Sequence, residues 1–362
     1  MIRWNHLNDT KMIKLIQRQQ KIIGILLKKG GVQSSVTLDE LIKLDEKVSL
    51  VTVKRDLSEM VNNEILNTSG SGRYLNYSVG NAGRIIFNVN AHEYCSIEPD
   101  QRYGLKQYNF DLFSSIPNDI FYDEELEKIE SATARYKSRT SGLPSTIQQK
   151  ELERFVIELA WKSSKIEGNT YTLLDTERLL LENKKADGKT DGEAQMILNH
   201  KSAFDFIYRN SGIFKNVTRK DIENLHSFLI KDLGVDAGLR KNMVGITGSI
   251  YRPLDNVYQI SDAMDALINL ISRMENPYAK ALVVLIGISY IQPFGDGNKR
   301  TGRFMANAIL LAHKLPPLSY RSINEDEYKE AILSFYELNS IVPIKKIFIE
   351  QYEFTAQNYT IV

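Results

Sequence analysis

The sequence predicts a mainly α-helical protein with a small α+β unit in front, on three observations. Apolar residues recur at helical spacing along most long segments, among them 17–29, 50–63, 151–161, 328–336 and 344–354. Strand-like stretches are short, the clearest at 65–79 and 244–251. Ala281 to Ile291 is a nearly unbroken apolar run that has to be buried. A chain of 362 residues suits two or three domains, and a hydrophobic content of 43% is ample for their cores. The expected division is 1–80, a connecting region 81–145, and 146–362.

The first unit opens with a helix over Gln17–Lys29, apolar at Ile22, Ile23, Leu26 and Leu27 and stopped by Gly30-Gly31. Leu38, Leu41, Ile42 and Leu44 give a short second helix behind Thr37, an N-cap with Glu40 three residues on. Ser49 or Leu50 to Asn63 gives a third. It turns Val53, Leu57, Met60 and Val61 inward and Thr52, Lys54, Arg55 and Ser58 outward. Ile65 to Val79 reads as two strands around Ser69-Gly-Ser-Gly72. Three helices and a glycine-tipped hairpin resemble a winged helix, in which the third helix enters the DNA major groove. Residues 1–80 hold 12 Lys and Arg against 8 Asp and Glu, so their net charge is +4 while the whole chain carries +1. Electrostatics supplies most nonspecific DNA affinity. A surplus this small fits either a modest DNA-binding module or a winged helix used for protein contacts. Thr52, Lys54, Arg55 and Arg73 are the candidate DNA residues; the plain alternative is a solvated helix face and wing.

The connecting region shows no motif from which chemistry can be read. Arg84 to Val89 reads as a strand, Glu124 to Tyr136 as a charged helix and Lys137 to Thr146 as a linker. Beyond it, Glu151–Trp161 is helical through Leu152, Phe155, Val156, Leu159 and Ala160, with Gly168 and Asn169 as its stop.

Residues 291–303, Ile-Gln-Pro-Phe-Gly-Asp-Gly-Asn-Lys-Arg-Thr-Gly-Arg, form a tight turn opening into a helix that continues through Phe304, Ala308, Leu311 and Ala312. Gly295 and Gly297 let the backbone approach a ligand, and free N–H groups at the helix start favour an anion. Arg300 and Arg303 share one face, so both guanidinium groups can reach the same oxygens. Asp296 is the nearest carboxylate, suited to Mg²⁺ bridging it to phosphate.

Pro-Phe-x-Asp-Gly-Asn-Lys-Arg-x-x-Arg resembles the signature of the Fic (Fido) family, His-Pro-Phe-x-[Asp/Glu]-Gly-Asn-[Gly/Lys]-Arg-x-x-Arg, at every position but the first. Gln292 stands where the family has its catalytic histidine. The resemblance implies a Fic-like helical bundle that binds ATP and Mg²⁺. Asp296 would hold the metal, with Phe294 as the loop's anchor. Gly295, Gly297, Asn298, Lys299, Arg300 and Arg303 would bind the nucleotide. In the family the histidine deprotonates a target hydroxyl that attacks the α-phosphate and becomes linked to AMP. A glutamine amide can orient a hydroxyl but cannot accept its proton. Ser163, Glu167, Gly168 and Asn169 match the family's inhibitory motif, whose glutamate pairs with the last arginine of the loop, here Arg303, in the place of the γ-phosphate. Val244, Ile246, Thr247, Gly248, Ser249 and Tyr251 read as a hairpin at the position of the family's flap, an edge on which an extended target segment could lie. The resemblance covers about 150–355.

The reading is a mainly α Fic-like bundle with a small β-hairpin flap, preceded by an α+β winged helix. The favoured function is a self-inhibited protein adenylyltransferase whose transfer step is attenuated or altered by Gln292. Two alternatives stand beside it: a catalytically silent, nucleotide-sensing DNA-binding regulator, and a hydrolase removing AMP from protein. Expected partners are a nucleotide, a protein with a hydroxyl side chain, duplex DNA and a second copy of the chain. One cysteine, Cys95, excludes an internal disulfide framework and suits the cytoplasm. No run of 18 apolar residues and no signal peptide is seen, so no membrane partner is expected. The five histidines lack metal-ligand spacing and read as structural.

Overall fold

The computed structural model describes residues 12–361, so the opening Met1-Ile-Arg-Trp-Asn stretch and His6 lie outside the described residues. The chain divides into two compact units. The first comprises Met1–Ile120, Ile246–Arg252 and Lys329–Lys345; the second comprises Phe121–Gly245, Pro253–Tyr328 and Lys346–Val362.

In the first unit α1 (Gln17–Lys29) buries Ile22, Ile23, Leu26 and Leu27, and Gly30 ends it in the left-handed region at φ 73°. The second helix, α2, runs over Ser34–Lys43. The N-cap expected at Thr37 is not one. Thr37 is fully buried inside the helix, its hydroxyl donating to the Gln33 carbonyl at 3.1 Å, and Gln33 holds the cap position. Ser49 caps α3 (Leu50–Asn62) by accepting from the Thr52 N–H at 3.2 Å. Val53, Leu57 and Met60 are buried, and so is Asp56, which Arg18 pairs at 2.5 Å. The antiparallel hairpin β1 (Leu66–Ser69) and β2 (Asn76–Val79) follows, registered from Leu66↔Val79 to Ser69↔Asn76, with Val32 bridged to Tyr77.

The strand expected from Arg84 is instead the short helix α4 (Asn81–Ile85). Gly83 allows its close approach to the hairpin, since a methyl there would stand 2.4 Å from the Ile65 carbonyl oxygen. Two more short helices, α5 (Ala91–Cys95) and α6 (Leu112–Ser115), complete this stretch.

The hairpin expected at 244–251 is not formed either. Ile246–Arg252 makes a turn, with the Ser249 N–H donating to the Ile246 carbonyl at 3.1 Å and Gly248 at φ 76°. Its polar groups are spent elsewhere. Ser249 Oγ and the Ile250 N–H donate to Glu337 at 2.7 and 3.1 Å, and the Gly248 carbonyl accepts from Arg102 at 2.9 Å. Glu337 is fully buried and also takes Tyr94 Oη at 2.7 Å and Arg102 Nη1 at 3.2 Å. A buried carboxylate with this many donors replaces the partner strand.

The regular structure of the second unit, among its described residues, is helical: α7 (Asp123–Thr140), α8 (Ser145–Ile166), α9 (Leu173–Glu182), α10 (Asp191–Arg209), α11 (Arg219–Ile230), α12 (Val257–Arg273), α13 (Pro277–Ile291) and α14 (Asn298–Ala312). Two of the unit boundaries fall within helices, α15 (Glu325–Leu338) and α16 (Val342–Asn358). The expected linker 137–146 is mostly helix. Tyr136 and Thr140 are buried, and Arg139 donates to the Ala356 and Tyr359 carbonyls at 2.8 and 2.7 Å.

Every residue of α13 from Ala281 to Ile291 is buried, as the apolar run required. Gly302 brings α14 against it: a methyl there would be 2.7 Å from the Leu285 carbonyl oxygen. Ile157, Ala160, Tyr171, Leu179, Leu180, Ala194 and Ile197 pack α8, α9 and α10 into one apolar cluster. The α13–α14 turn and the end of α8 are thereby fixed by core packing.

Candidate functional site

The turn between α13 and α14 is built from its main chain. Gln292 ends α13 in the left-handed region (φ 52°, ψ 57°), and Gly297 starts α14 at φ 80°. Asn298 closes the loop internally: its Oδ1 accepts the Phe294 N–H at 2.8 Å, while Nδ2 donates to the Phe294 carbonyl at 2.9 Å and to Gln292 Oε1 at 3.0 Å. Gln292 Nε2 donates to the Ser289 carbonyl at 2.7 Å. The side chain at the first position of the signature is therefore tied at both ends, and the residue is only 8% exposed. Phe294 is fully buried, consistent with an anchor.

The cationic groups are brought together. Arg303 is 0% exposed and its three nitrogens face three oxygens on the end of α8. Nε donates to Ser163 Oγ and Nη2 to the Ser163 carbonyl, both at 3.0 Å, and Nη1 lies 2.8 Å from Glu167 Oε1. This last contact is an ion pair without the alignment of a hydrogen bond. Lys299 Nζ stands 3.5 Å from the other Glu167 oxygen. Burial pushes the Glu167 carboxyl up, but Arg303, then Lys299 and Arg300, outweigh it and lower its pKa to about 2. Burial works against the Arg303 charge, and Glu167 more than restores it.

Ser163 Oγ also lies 3.0 Å from His200 Nε2, and His200 Nδ1 lies 2.6 Å from the Met196 carbonyl. The carbonyl can only accept, so Nδ1 carries the proton and Nε2 accepts from Ser163. Burial holds the His200 pKa down to about 3, keeping the ring neutral beside the arginines. Gly168, at φ 93°, lets the chain leave α8. Asn169 is buried and spends its amide on the Glu193 carbonyl and the Tyr171 N–H, which makes it a turn residue, not a further contact to Arg303.

Asp296 sits at the outer edge, its side chain 65% exposed. Oδ2 is 2.7 Å from Arg300 Nη2 and Oδ1 accepts the Gly297 N–H at 2.6 Å. Arg300 is otherwise buried, its Nη1 3.4 Å from the Leu229 carbonyl. No cluster of three or more His, Cys, Asp or Glu that could hold a metal exists among the described residues. A single exposed carboxylate, completed by phosphate oxygens and water, is the donor set Mg²⁺ ordinarily uses. The residues present fit that ion as one borrowed from a nucleotide, not one held in a protein cage.

Two residues that the sequence did not single out hold the loop from behind. Arg240 Nε donates to the Gln292 carbonyl at 2.6 Å, and its main-chain N–H to the Pro293 carbonyl at 3.0 Å. His226, on α11, stacks on Phe294 and reaches the Asp296 carbonyl.

The sequence matches the Fic/DOC family over residues 216–310. The chain carries a Fic/DOC domain. Among curated proteins it is similar to the protein adenylyltransferase Fic of Nematostella vectensis, 28% identical over 214 residues, covering 57% of this chain and 49% of that protein. It is likewise similar to the protein adenylyltransferase Fic of Culex quinquefasciatus, 26% identical over 210 residues, covering 57% of this chain and 41% of that one. The chain thus spans about half or less of the length of the curated relatives it matches. Its fold is similar to that of Fic-1 (residues 134–508) from C. elegans, with TM-score 0.54 and 18% identity over 65% of this chain and 70% of that one. A Fic domain containing signaling protein from Bacteroides thetaiotaomicron gives TM-score 0.53 at 17% identity, covering 63% of this chain and 94% of that one. At these identities the likeness concerns the fold.

The other candidate residues lie in the first unit or at its edge. Val244, Ile246 and Ser249 are half-buried, Thr247 and Gly248 exposed, and Tyr251 buried. Lys54 and Arg55 are exposed on α3, Thr52 Oγ1 is 3.1 Å from Ser49 Oγ, and Arg73 lies over the Tyr74 ring at 4.9 Å. No helix among the described residues is long and apolar enough to cross a membrane.

Proposed function

We propose that the Fic/DOC domain of this chain binds the phosphates of ATP with Mg²⁺ and is a protein adenylyltransferase held inhibited by Glu167 and attenuated by Gln292. One observation carries the reading. The groups that would bind phosphate are already occupied by the protein's own carboxylates: Glu167 on Arg303 and Lys299, and Asp296 on the Gly297 N–H and Arg300. A site that satisfies itself with carboxylate oxygens is built for anions, and a nucleotide would exchange them for phosphate oxygens. Asn298 and the loop amides would face the α- and β-phosphates, with Arg300 and Arg303 on the outer ones. Asp296 would hold Mg²⁺, which when bound neutralises charge on the phosphates.

In transfer, a target hydroxyl oxygen would bond to the α-phosphorus, pyrophosphate would leave, and the hydroxyl proton would need an acceptor. Gln292 does not supply one. Its amide has no acidity or basicity near neutrality, and its Oε1 is already accepting from Asn298. Losing a positioned base is commonly worth about 10²- to 10⁴-fold in rate. The tied Gln292 amide favours a second reading, a nucleotide-sensing regulator whose first unit, read as a winged helix, contacts duplex DNA. The third, AMP removal with Glu167 aligning a water, has no separate observation behind it. We place the protein in the cytoplasm, on its single free cysteine. Calorimetry with ATP and Mg²⁺ on Glu167→Gly tests the core of the proposal; absence of binding would refute the anion cradle.

A further inference from the structure

His226 is held in a way that the phosphate-binding groups above do not explain. The ring is fully buried and lies flat on Phe294, with centroids 3.7 Å apart and planes 9° from parallel. Its Nε2 is 2.9 Å from the Asp296 main-chain carbonyl. A carbonyl only accepts, so Nε2 carries the proton and Nδ1 keeps a lone pair. That Nδ1 is buried and has no hydrogen-bond partner. An orphaned buried acceptor is a cost, and a phenylalanine would stack on Phe294 without it. What the imidazole supplies beyond an apolar ring is the Nε2–H.

The consequence follows from peptide geometry. A trans peptide holds its C=O and N–H on opposite sides, and the described chain has no cis bonds. Turning the Asp296 carbonyl back to His226 therefore turns the Gly297 N–H outward, where Asp296 Oδ1 now takes it at 2.6 Å. Gly297 allows the close approach of this helix start to α11: a methyl there would stand 3.2 Å from Ile230 Cγ2 and 3.5 Å from His226 Nε2. At the other end of the loop Arg240 holds the Gln292 and Pro293 carbonyls.

We propose that His226 is a positioning residue for this loop, setting the Asp296–Gly297 peptide through its Nε2–H so that the Gly297 N–H faces an incoming phosphate. The proposal rests on the nucleotide reading above and deepens it.

The test uses the full chain carrying Glu167→Gly, with two second substitutions. His226→Phe keeps the stacking ring and loses the donor; His226→Gln places an N–H as many bonds from Cα as the imidazole does. Amide exchange at Gly297 is read without ligand, and affinities for Mg²⁺-ATP, tripolyphosphate and adenosine are read by calorimetry. His226→Phe should speed Gly297 exchange and weaken ATP and tripolyphosphate by about tenfold each, the value of one well-placed hydrogen bond, and leave adenosine unchanged. His226→Gln should restore both readings to within about threefold. Exchange and phosphate affinity unmoved in His226→Phe, or a His226→Gln protein as impaired as His226→Phe, would overturn the proposal. Should His226→Phe fail to fold, His226→Gln decides alone, parental exchange and binding supporting the assignment and loss of either overturning it. If neither the parent nor any variant binds a phosphate ligand, the nucleotide reading falls, while the exchange ratio still decides whether His226 sets the peptide.

Discussion

Replacing Glu167 by glycine should tighten ATP far more than ADP. The site holds the Glu167 carboxyl near pKa 2 against an ordinary 4.5. At about 1.4 kcal/mol per unit, that is on the order of 3 kcal/mol of net preference for the charged form. The side chain is 17% exposed and its principal partner Arg303 0%, so solvent screens little of it. A γ-phosphate that takes Arg303 has to displace this contact. Removing the carboxylate therefore lifts a penalty of up to about 100-fold in ATP affinity. A displaced carboxylate recovers water, so a gain of about 10-fold is the lower expectation. ADP lacks the competing phosphate and should change by less than about threefold. Stability moves the other way. A buried arginine left without its partner costs about 3–5 kcal/mol, so ligand-free Glu167→Gly should melt earlier, and ATP should return more of the lost melting temperature than ADP. Calorimetry with Mg²⁺ and either nucleotide, paired with thermal melts, reads both effects. Equal changes for ATP and ADP would reduce Glu167 to the C-cap of α8 and remove the competition argument.

Gln292→His combined with Glu167→Gly should raise incorporation of α-labelled ATP into the protein or into lysate proteins well above the native chain. Strong labelling by the native chain, or none by the double variant despite ATP binding, would refute Gln292 as the limiting element. His200 and His226 are held down to about 3 and 4 from 6.5, burial being the main cause, so the folded state binds fewer protons than the unfolded one between those values. Their contribution is complete above about pH 6.5 and is lost as pH falls through it, about 2 kcal/mol each by pH 5; a denaturant midpoint unchanged from pH 7 to 5 would contradict neutral burial. The full chain should retard duplex DNA with an affinity that falls steeply with salt, and Lys54→Ala with Arg55→Ala should weaken it and flatten the salt slope. Retardation indifferent to both substitutions would favour protein contacts for the first unit.

The elements that sequence reading located well are those with local punctuation. Gly30 and Ser49 bound α1 and α3 because each supplies a cap chemistry readable from its own residue type. The α13–α14 turn was legible because a run as apolar as Ala281–Ile291 has only one environment open to it, and because Gly297 needs positive φ. Reading failed where a distant group decided the local outcome. The stretch 244–251 has the alternation of a hairpin, but Glu337, 88 residues away from Ser249, takes its donors. Thr37 has a cap's side chain, but burial carries it inside α2. His226 and Arg240 gave no signal at all, since their partners are main-chain carbonyls 70 and 52 residues on, and a carbonyl has no residue type to read.

Glu167, Asp296 and Gln292 together describe a site whose binding and chemical parts differ in how they are held. The groups proposed to bind the anion are pinned by contacts that a ligand need not break: Arg303 to Ser163, Arg240 to the Gln292 carbonyl, His226 to the Asp296 carbonyl. Of the carboxylates that meet them, Asp296 is largely in water at 65% exposed, while Glu167, at 17%, sits at the end of α8 and outside the contacts that hold Arg303 to Ser163. On the proposed function, phosphate would replace carboxylate in front of a backing that stays in place, at the cost of the Glu167–Arg303 contact. Gln292 belongs to the backing. With its amide tied to Asn298 and Ser289, it contributes to the shape of the loop and, as an amide, has no basic group to take a substrate proton. On the proposed function, binding and transfer would therefore separate in this chain, the first resting on the contacts among Arg303, Ser163, Arg240 and His226 and the second needing a base that an amide at position 292 does not provide.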